Sequence, residues 1–339
     1  MVNILYFGNK TSAFKSSKSV LETLEPLFGD FANVSSASNK KNKLLRLLSM
    51  LLLFFMKFRS TDYILIDVYS TKAYIFTIII SFLSNIFKKK YILILHGGDL
   101  PKRFINNENK MRELFIKAYS IVAPSNYLKE FFIKKGVPVT YIPNIIELKN
   151  YPFKARTSFS PNFISLRGFD TPYNPLMILK SMSILKTDFP NFKLYFIGSE
   201  TDTEFNEIIK YINKNSLAEN IYILPRMSKK EWIKLSEKVD FMISTPIIDN
   251  TPVSVIEGMA LGLVVISTKV GGIPYLIEED INGVLIDSND HLGLANSLKM
   301  LLFDDNLCKE IAINGRKKAR FFDWHFIKKD WEKLLSTNK

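Results

Sequence analysis

The chain has 339 residues, 47% of them hydrophobic, enough for two cores of about 150 to 180 residues each. Its one cysteine, Cys308, excludes an internal disulfide framework and suits a reducing compartment. The formal charge of +13 is uneven: residues 1–150 carry 22 Lys and Arg against 10 Asp and Glu, residues 151–339 carry 24 against 23. A basic half implies nucleic acid or an anionic membrane surface as partner. No helix-turn-helix, zinc-finger spacing or RNP-like aromatic strand is present, so no nucleic acid is expected and an anionic membrane is.

The first residues, Met1 to Gly8, lack a basic leader pattern and read as a buried strand, which predicts a protein that stays inside the cell. A polar, basic loop, Asn9 to Ser19, precedes the helical periodicity of Val20 to Phe28. Only Gly8 is available there, so neither Gly-x-Gly-x-x-Gly nor a P-loop can be drawn, and Gly8, Asn9 and Lys10 are expected on the acceptor side. Lys40 to Arg59 is the most apolar helical stretch, with Lys43, Arg46 and Lys57 on roughly one side. It is too short for a bilayer, which needs ~20 predominantly apolar residues. Two readings stay open: a crossover helix packed on a sheet, or one that also dips an apolar edge into a membrane interface while its cationic ends meet headgroups.

Asp62–Asp67 (strand), Tyr74–Phe87 (helix) and Tyr91–Leu95 (strand) give a βαβ rhythm. His96, Gly97, Gly98 and Asp99 follow at that strand's carboxyl end, where open α/β sheets bind ligands. Arg103, seven residues on, can meet phosphate or lipid. The lobe closes with Tyr119 to Ser125, a helix Asn126 to Lys135, and Val139 to Asn144. Glu147 to Asn162 is polar and aperiodic, and reads as a linker.

Phe163 to Arg167 restarts the strand pattern, with Arg167 at its end; a guanidinium fork there suits a diphosphate. Short strands then alternate with helices up to Phe241–Ser244. In the stretch from Ser244 to Asp287, Asn250 or Thr251 can cap a helix, Pro252 suits its first position and Gly262 its exit. Such a helix offers free amides and a positive dipole end to a phosphate, with Glu257 about a turn and a half deeper, within reach of a ribose. The loop Lys269 to Pro274, following strand Leu263 to Thr268, presents Gly271 and Gly272 ahead of a second expected helix. The bland alternative is an ordinary helix with Glu257 on its solvated side.

This stretch resembles the signature of the family 4 glycosyltransferases: an acid, seven residues, a glutamate, then Ala-Met-Ala-x-Gly-x-Pro-Val. Here Asp249, Glu257 and Gly258-Met-Ala-Leu-Gly262-Leu-Val-Val fill it, with aspartate as the first acid and Asn250-Thr-Pro-Val-Ser254 in place of Gly-Phe-Gly-x-Pro. Asn282-Gly283, Ala123-Pro-Ser125, Ile142-Pro-Asn144 and the terminal Trp324-x6-Trp331 helix resemble further parts of the family pattern. The resemblance implies the GT-B architecture, α/β with two Rossmann-like doubly wound domains facing across a cleft: domain one at 1–148, linker 149–162, domain two at 163–322, and a helix at 323–339 crossing back.

It also implies roles. His96, Asp249 and Arg167 are the expected catalytic residues. Glu257 is expected on the donor's ribose, with Thr251, Pro252, Val253, Arg226, Lys269, Gly271 and Gly272 around the donor; Gly97, Gly98, Asp99 and Arg103 join the acceptor side. The family lysine five residues after the arginine is Pro172 here, leaving Arg226, Lys269 or helix amides to supply the second positive charge. The implied reaction is retaining transfer from a UDP-sugar or GDP-sugar to a saccharide or lipid-linked saccharide, in bacterial lipopolysaccharide, capsule or exopolysaccharide synthesis, at the inner face of the membrane. No metal or further cofactor is implied, since neither lobe offers Asp-x-Asp or clustered His and Cys. A nucleotide-sugar epimerase of the same fold and a non-catalytic membrane scaffold are the alternatives.

Overall fold

A computed structural model describes residues 1–10, 19–37 and 39–336, which form two compact units: Met1–Asn144 with Ile327–Lys339, and Ile145–Phe326. Most of the Asn9–Ser19 loop lies outside the described residues.

The first unit runs β1 (Val2–Phe7), α1 (Val20–Phe28), β2 (Ala32–Ala37), α2 (Lys43–Lys57), β3 (Tyr63–Val68), α3 (Tyr74–Ile86), β4 (Lys90–Leu95), α4 (Leu100–Asn106), α5 (Glu108–Ile116), β5 (Ser120–Ala123), α6 (Asn126–Lys134) and β6 (Thr140–Tyr141). The strands form one parallel sheet in the order β2-β1-β3-β4-β5-β6. Helices cover both faces, so central strands such as β3 and β4 are continuous apolar runs, buried almost throughout. β2 escaped the sequence reading because Ala-Asn-Val-Ser-Ser-Ala has a single branched apolar residue, Val34; its place at the sheet edge tolerates that. Asn42 caps α2, its side-chain oxygen accepting from the amides of Leu44 and Leu45.

The second unit contains β7 (Asn162–Ser165), α7 (Pro175–Leu185), β8 (Lys193–Gly198), α8 (Phe205–Lys214), β9 (Ile221–Pro225), α9 (Lys229–Leu235), β10 (Phe241–Ser244), α10 (Val253–Ala260), β11 (Val264–Thr268), β12 (Val284–Ile286), α11 (His291–Leu302) and α12 (Asp305–Arg320). α13 (Trp324–Ser336) begins in this unit and passes into the first from Ile327, where Trp331 is buried edge-on against Phe28. The second sheet is also parallel, ordered β12-β11-β10-β7-β8-β9. Its strand order reverses between β7 and β10, and that of the first sheet reverses between β1 and β3, all strands staying parallel. At such switch points the two neighbouring crossovers leave in opposite directions, opening a crevice at the carboxyl ends of the strands.

Three local expectations are corrected. Residues 149–162, read as a linker, lie within the second unit. The Arg156 side chain is almost fully buried, its Nε donating to Asp240 Oδ1 at 2.8 Å and its terminal nitrogens to the carbonyls of Gly262, Leu261, Val239 and Ser236. α10 starts one residue later than expected: Pro252 is its cap and Val253 its first residue, and neither Asn250 nor Thr251 holds the capping position. After Gly272 there is only one tight turn, Ile273–Tyr275, in place of the expected helix.

Candidate active site

The second unit's candidate site is built at the β7/β10 switch. Arg167 lies two residues past β7, and its Nη2 donates to Asp249 Oδ2 at 2.8 Å. Its guanidinium also sits 4.6 Å from the centroid of the Tyr173 ring. Tyr173 ends a tight turn, Thr171–Tyr173, whose middle residue is Pro172. Where the family pattern carries a second cation, this chain therefore supplies an aromatic face that stabilises a single guanidinium. Arg167 Nε is buried and makes no hydrogen bond among the described residues.

Asp249 is fixed from three sides. Its Oδ1 accepts from the next amide, Asn250, at 2.8 Å, its Oδ2 from Arg167, and its carbonyl from the amide of Gly272 at 3.1 Å. Gly271 makes this possible: its φ of +52° is costly for a side chain, and a Cβ there would lie 2.0 Å from the Asp249 carbonyl oxygen. The two glycines expected to receive phosphate thus clamp the Asp249 backbone, and the Gly272 amide is spent inside the protein.

α10 carries Glu257 in its middle, buried. An isolated buried carboxylate is costly, and two partners meet it: Tyr151 Oη donates to Glu257 Oε1 at 2.7 Å, and Lys229 Nζ lies 2.7 Å from the same oxygen. Burial, reinforced by the Glu257 charge, pushes the Tyr151 hydroxyl far upward, so it serves as a donor at every ordinary pH. Glu257 is therefore not on a solvated face. The carboxyl end of α10 is tied by two guanidiniums: Arg156 takes the carbonyls of Leu261 and Gly262, and Arg316 that of Ala260 at 2.6 Å. These are the carbonyls a helix end leaves unpaired, and cations suit that end of the dipole.

The remaining donor-side residues divide. Thr251 and Pro252 are buried beside the start of α10, and Val253 opens it. Arg226 does not stand free as the missing cation: it is ion-paired with Asp202 and lies 3.8 Å from Asp170. Lys269 is exposed at the end of β11.

The first unit's candidate site lies at the β1/β3 switch, around a residue that sequence reasoning passed over. Asp67, next to last in β3 and buried, accepts from Tyr6 Oη at 3.0 Å, Tyr69 Oη at 2.9 Å and His96 Nε2 at 2.8 Å. A carboxylate can only accept, so the pairing holds the imidazole proton on Nε2 and leaves Nδ1 as the other ring nitrogen. Burial first, then the Asp67 charge, drives both tyrosine hydroxyls well above their ordinary values. A Cβ at Gly8 would lie 2.0 Å from Asp67 Oδ2, so Gly8 makes room for this carboxylate.

Asn9 Oδ1 accepts from Arg46 Nη1 at 2.9 Å, and Arg46 Nε donates to the Lys40 carbonyl. Arg46 is thus buried on the inner side of α2, whereas Lys43 and Lys57, expected on roughly the same side, are exposed. Lys10 pairs with Glu25 at 2.7 Å. Gly97 stands against Ser70, the Gly98 carbonyl accepts from Tyr127 Oη, and Asp99 is exposed ahead of α4. Arg103 lies over the Tyr74 ring at 4.4 Å and donates to the Ser70 carbonyl, a partly buried structural cation in this arrangement. Among the described residues no three His, Cys, Asp or Glu side chains gather to hold a metal ion.

Two placements had signals in the sequence: Asp67, a lone charge at the carboxyl end of an apolar strand, and Tyr173, beside the departure at Pro172. Lys229 and Tyr151 had none, one opening an ordinary helix and the other lying in the aperiodic stretch.

Comparison with known proteins fits this geometry. Residues 155–318 match the family described as glycosyl transferases group 1. A Campylobacter jejuni alpha-1,4-N-acetyl-D-galactosaminyltransferase, whose name gives its acceptor as a GalNAc-containing saccharide on diphospho-undecaprenol, is 27% identical over 195 residues, 55% of this chain. The match spans 53% of that relative, about half its length. Among solved structures, sucrose-phosphate synthase from Thermosynechococcus elongatus superposes with a TM-score of 0.81 at 13% identity, covering 98% of both chains. Anabaena HepE in complex with UDP-glucose does so with a TM-score of 0.79 at 16% identity, covering 99% of this chain and all of that one. The two doubly wound parallel sheets are those of the GT-B glycosyltransferases, and the match to the group 1 glycosyltransferase family lies in the second unit.

Proposed function

We propose that this protein transfers a sugar from a UDP-sugar or GDP-sugar to an acceptor hydroxyl, with retention at the anomeric carbon. The observation that carries the reading is the Arg167–Asp249 pair at the second switch point, with Glu257 held in α10 beside it in sequence. Departure of the nucleotide gathers negative charge on the diphosphate, and a preoriented guanidinium stabilises that charge most where it is greatest, in the transition state. Glu257, paired with Lys229, accepts from ribose hydroxyls. His96, with its Nε2 held by Asp67, offers Nδ1 at the switch point of the first unit.

The acceptor in this proposal is a saccharide carried on a lipid, made into a bacterial surface polymer at the inner face of the membrane. The basic first unit and the polyprenol-linked acceptor named for the Campylobacter relative support that clause. No helix of the described residues is long and apolar enough to cross a membrane, so contact would be peripheral.

The test is a melting-temperature screen with UDP and GDP, followed by incubation with the matching donors and NMR assignment of the product's anomeric configuration. One nucleotide should stabilise the protein, and the product should keep the donor's configuration. Failure of every nucleotide diphosphate to bind, or an inverted product, would overturn the reading. Conversion of the donor with no acceptor present would replace it with the epimerase alternative.

A further inference from the structure

α2 and α3 carry large apolar residues on their outer sides as well as their buried ones. On a surface helix the outward stripe is normally polar, yet here Leu44, Leu48 and Leu52 of α2 and Ile78, Phe82 and Ile86 of α3 are all exposed, Leu52 by 64% and Phe82 by 63%. Their spacings, four residues on α2 and four on α3, set each trio in one row along its helix. The charged residue that α2 buries, Arg46, faces the opposite way. Both helices cross between strands stepping in the same direction along the sheet, β2 to β3 and β3 to β4, so right-handed connections set them on one face. They adjoin at their carboxyl ends, where Phe87 meets Phe55 at 6.0 Å and Phe58 at 4.6 Å between ring centroids. The two rows therefore belong to one apolar surface, and a contiguous exposed apolar surface marks an interaction site.

The charges at its margins select the occupant. Lys40 and Lys41 precede α2, Lys43 opens it, Arg59 follows it and Lys88 follows α3, all exposed, while neither helix contains Asp or Glu. An apolar face with these cations at its margins matches an anionic lipid surface, with acyl chains below and phosphates at the edge. A second copy seated here would set the same cations against one another.

We propose that the outer face of α2 and α3 is the membrane-docking surface of this protein, taking anionic lipid. It sharpens the membrane clause of the proposed function but does not depend on the transfer chemistry. Arg46 has no part in it, which separates this surface from one read off the helix's charges alone.

The experiment is co-sedimentation of the full chain with vesicles of phosphatidylcholine alone and of equimolar phosphatidylcholine and phosphatidylglycerol, at low and high salt. Alongside run Leu52→Gln/Phe82→Gln, Lys40→Gln/Lys41→Gln/Lys43→Gln, melting temperatures, and light scattering without lipid. The wild type should bind the anionic vesicles, more weakly in high salt. The lysine variant should lose about 100-fold in affinity and the apolar variant about tenfold or more, both with unchanged melting. Binding that ignores lipid charge and both sets of substitutions would overturn the proposal. So would a lipid-indifferent protein that is dimeric until Leu52→Gln/Phe82→Gln makes it monomeric. Nucleotide stabilisation is read in the same samples, so lost docking with intact nucleotide binding refutes this surface alone, and the reverse refutes the transferase reading alone.

Discussion

Arg167 and Asp249, 82 residues apart in sequence, form one ion pair at 2.8 Å where the strand order of the second sheet reverses. The arginine expected to meet the diphosphate and the first acid of the signature thus orient each other. Aspartate is one methylene shorter than the usual glutamate, yet the Gly271–Gly272 clamp on its backbone brings its carboxylate to the guanidinium.

Arg167→Ala should lower turnover roughly 100- to 1000-fold, the usual loss when a transition-state donor is removed, while weakening nucleotide binding far less. Steady-state turnover and a calorimetric Kd for the stabilising nucleotide, compared in one preparation, check it. Equal losses in both would make Arg167 a binding residue only.

Glu257 has two partners on one oxygen, and that predicts an asymmetry. Glu257→Gln removes charge-assisted hydrogen bonds to a ribose and should cut donor use ~10- to 100-fold. Lys229→Met should raise the donor KM without that loss in turnover, since Tyr151 still donates to Glu257 at 2.7 Å. Combining the two changes should cost less than their separate effects added, because both act through one carboxylate. Additive effects would mean that Lys229 acts independently of Glu257.

How much of this was legible in the sequence follows from range. The βαβ rhythm, the cap-to-glycine helix around Glu257 and the strand-end positions of His96 and Arg167 are local patterns, and the structure has those elements. Gly262, expected at the helix exit, has φ of +77°. What could not be read was which distant groups meet. Nothing local distinguishes Arg156 or Tyr151 in a polar, aperiodic stretch, yet one is nearly sealed inside the second unit and the other reaches Glu257 from 106 residues away. Arg46 misled for the opposite reason: helical spacing gives the angle between side chains but not which side faces the sheet. Lys43 and Lys57 are exposed, whereas Arg46 turns inward to Asn9.

Cys308 is buried in α12, and burial pushes its thiol up to about 12. A thiol whose folded value lies above its unfolded value, about 8.5, contributes stability that is complete below pH 8.5 and is lost as pH rises toward 12. Two outcomes follow: no reaction with a thiol reagent at pH 8 until the chain is unfolded, and an alkaline fall in melting temperature that is smaller in Cys308→Ala. Rapid labelling of the native protein would contradict the buried placement.

Arg156 should be among the least replaceable residues of the second unit. Removing one partner of a buried, hydrogen-bonded charge pair costs about 3–5 kcal/mol, and here five backbone carbonyls lose a donor as well. Arg156→Lys should recover little, because one ammonium cannot span carbonyls from Ser236 to Gly262 that a planar fork bridges. Chemical denaturation of both variants measures this, and a loss below about 1 kcal/mol for Arg156→Ala would be incompatible with the network.

In the first unit the test falls on Asp67, through the glycine that accommodates it. Gly8→Ala puts a methyl group where Asp67 Oδ2 now lies, at 2.0 Å, so the carboxylate must move or β1 must shift. Either way the three bonds from Tyr6, Tyr69 and His96 cannot all persist. Asp67→Asn makes the complementary change, keeping the volume but offering an amide N–H to groups that are themselves donors. A purely structural Asp67 predicts that both variants lose stability and that activity per folded molecule stays constant. An Asp67 that orients His96 predicts more: turnover should fall about 10- to 100-fold at temperatures where the protein is fully folded, with nucleotide affinity little changed, since the nucleotide-side residues lie in the other unit. His96→Ala should then lose little further activity when Asp67→Asn is already present, because the aspartate acts through the imidazole. Turnover of the three variants and of the double variant, at matched folded fraction, decides between these outcomes. Full activity in folded Asp67→Asn would reduce the cluster to a packing feature of the β1/β3 switch.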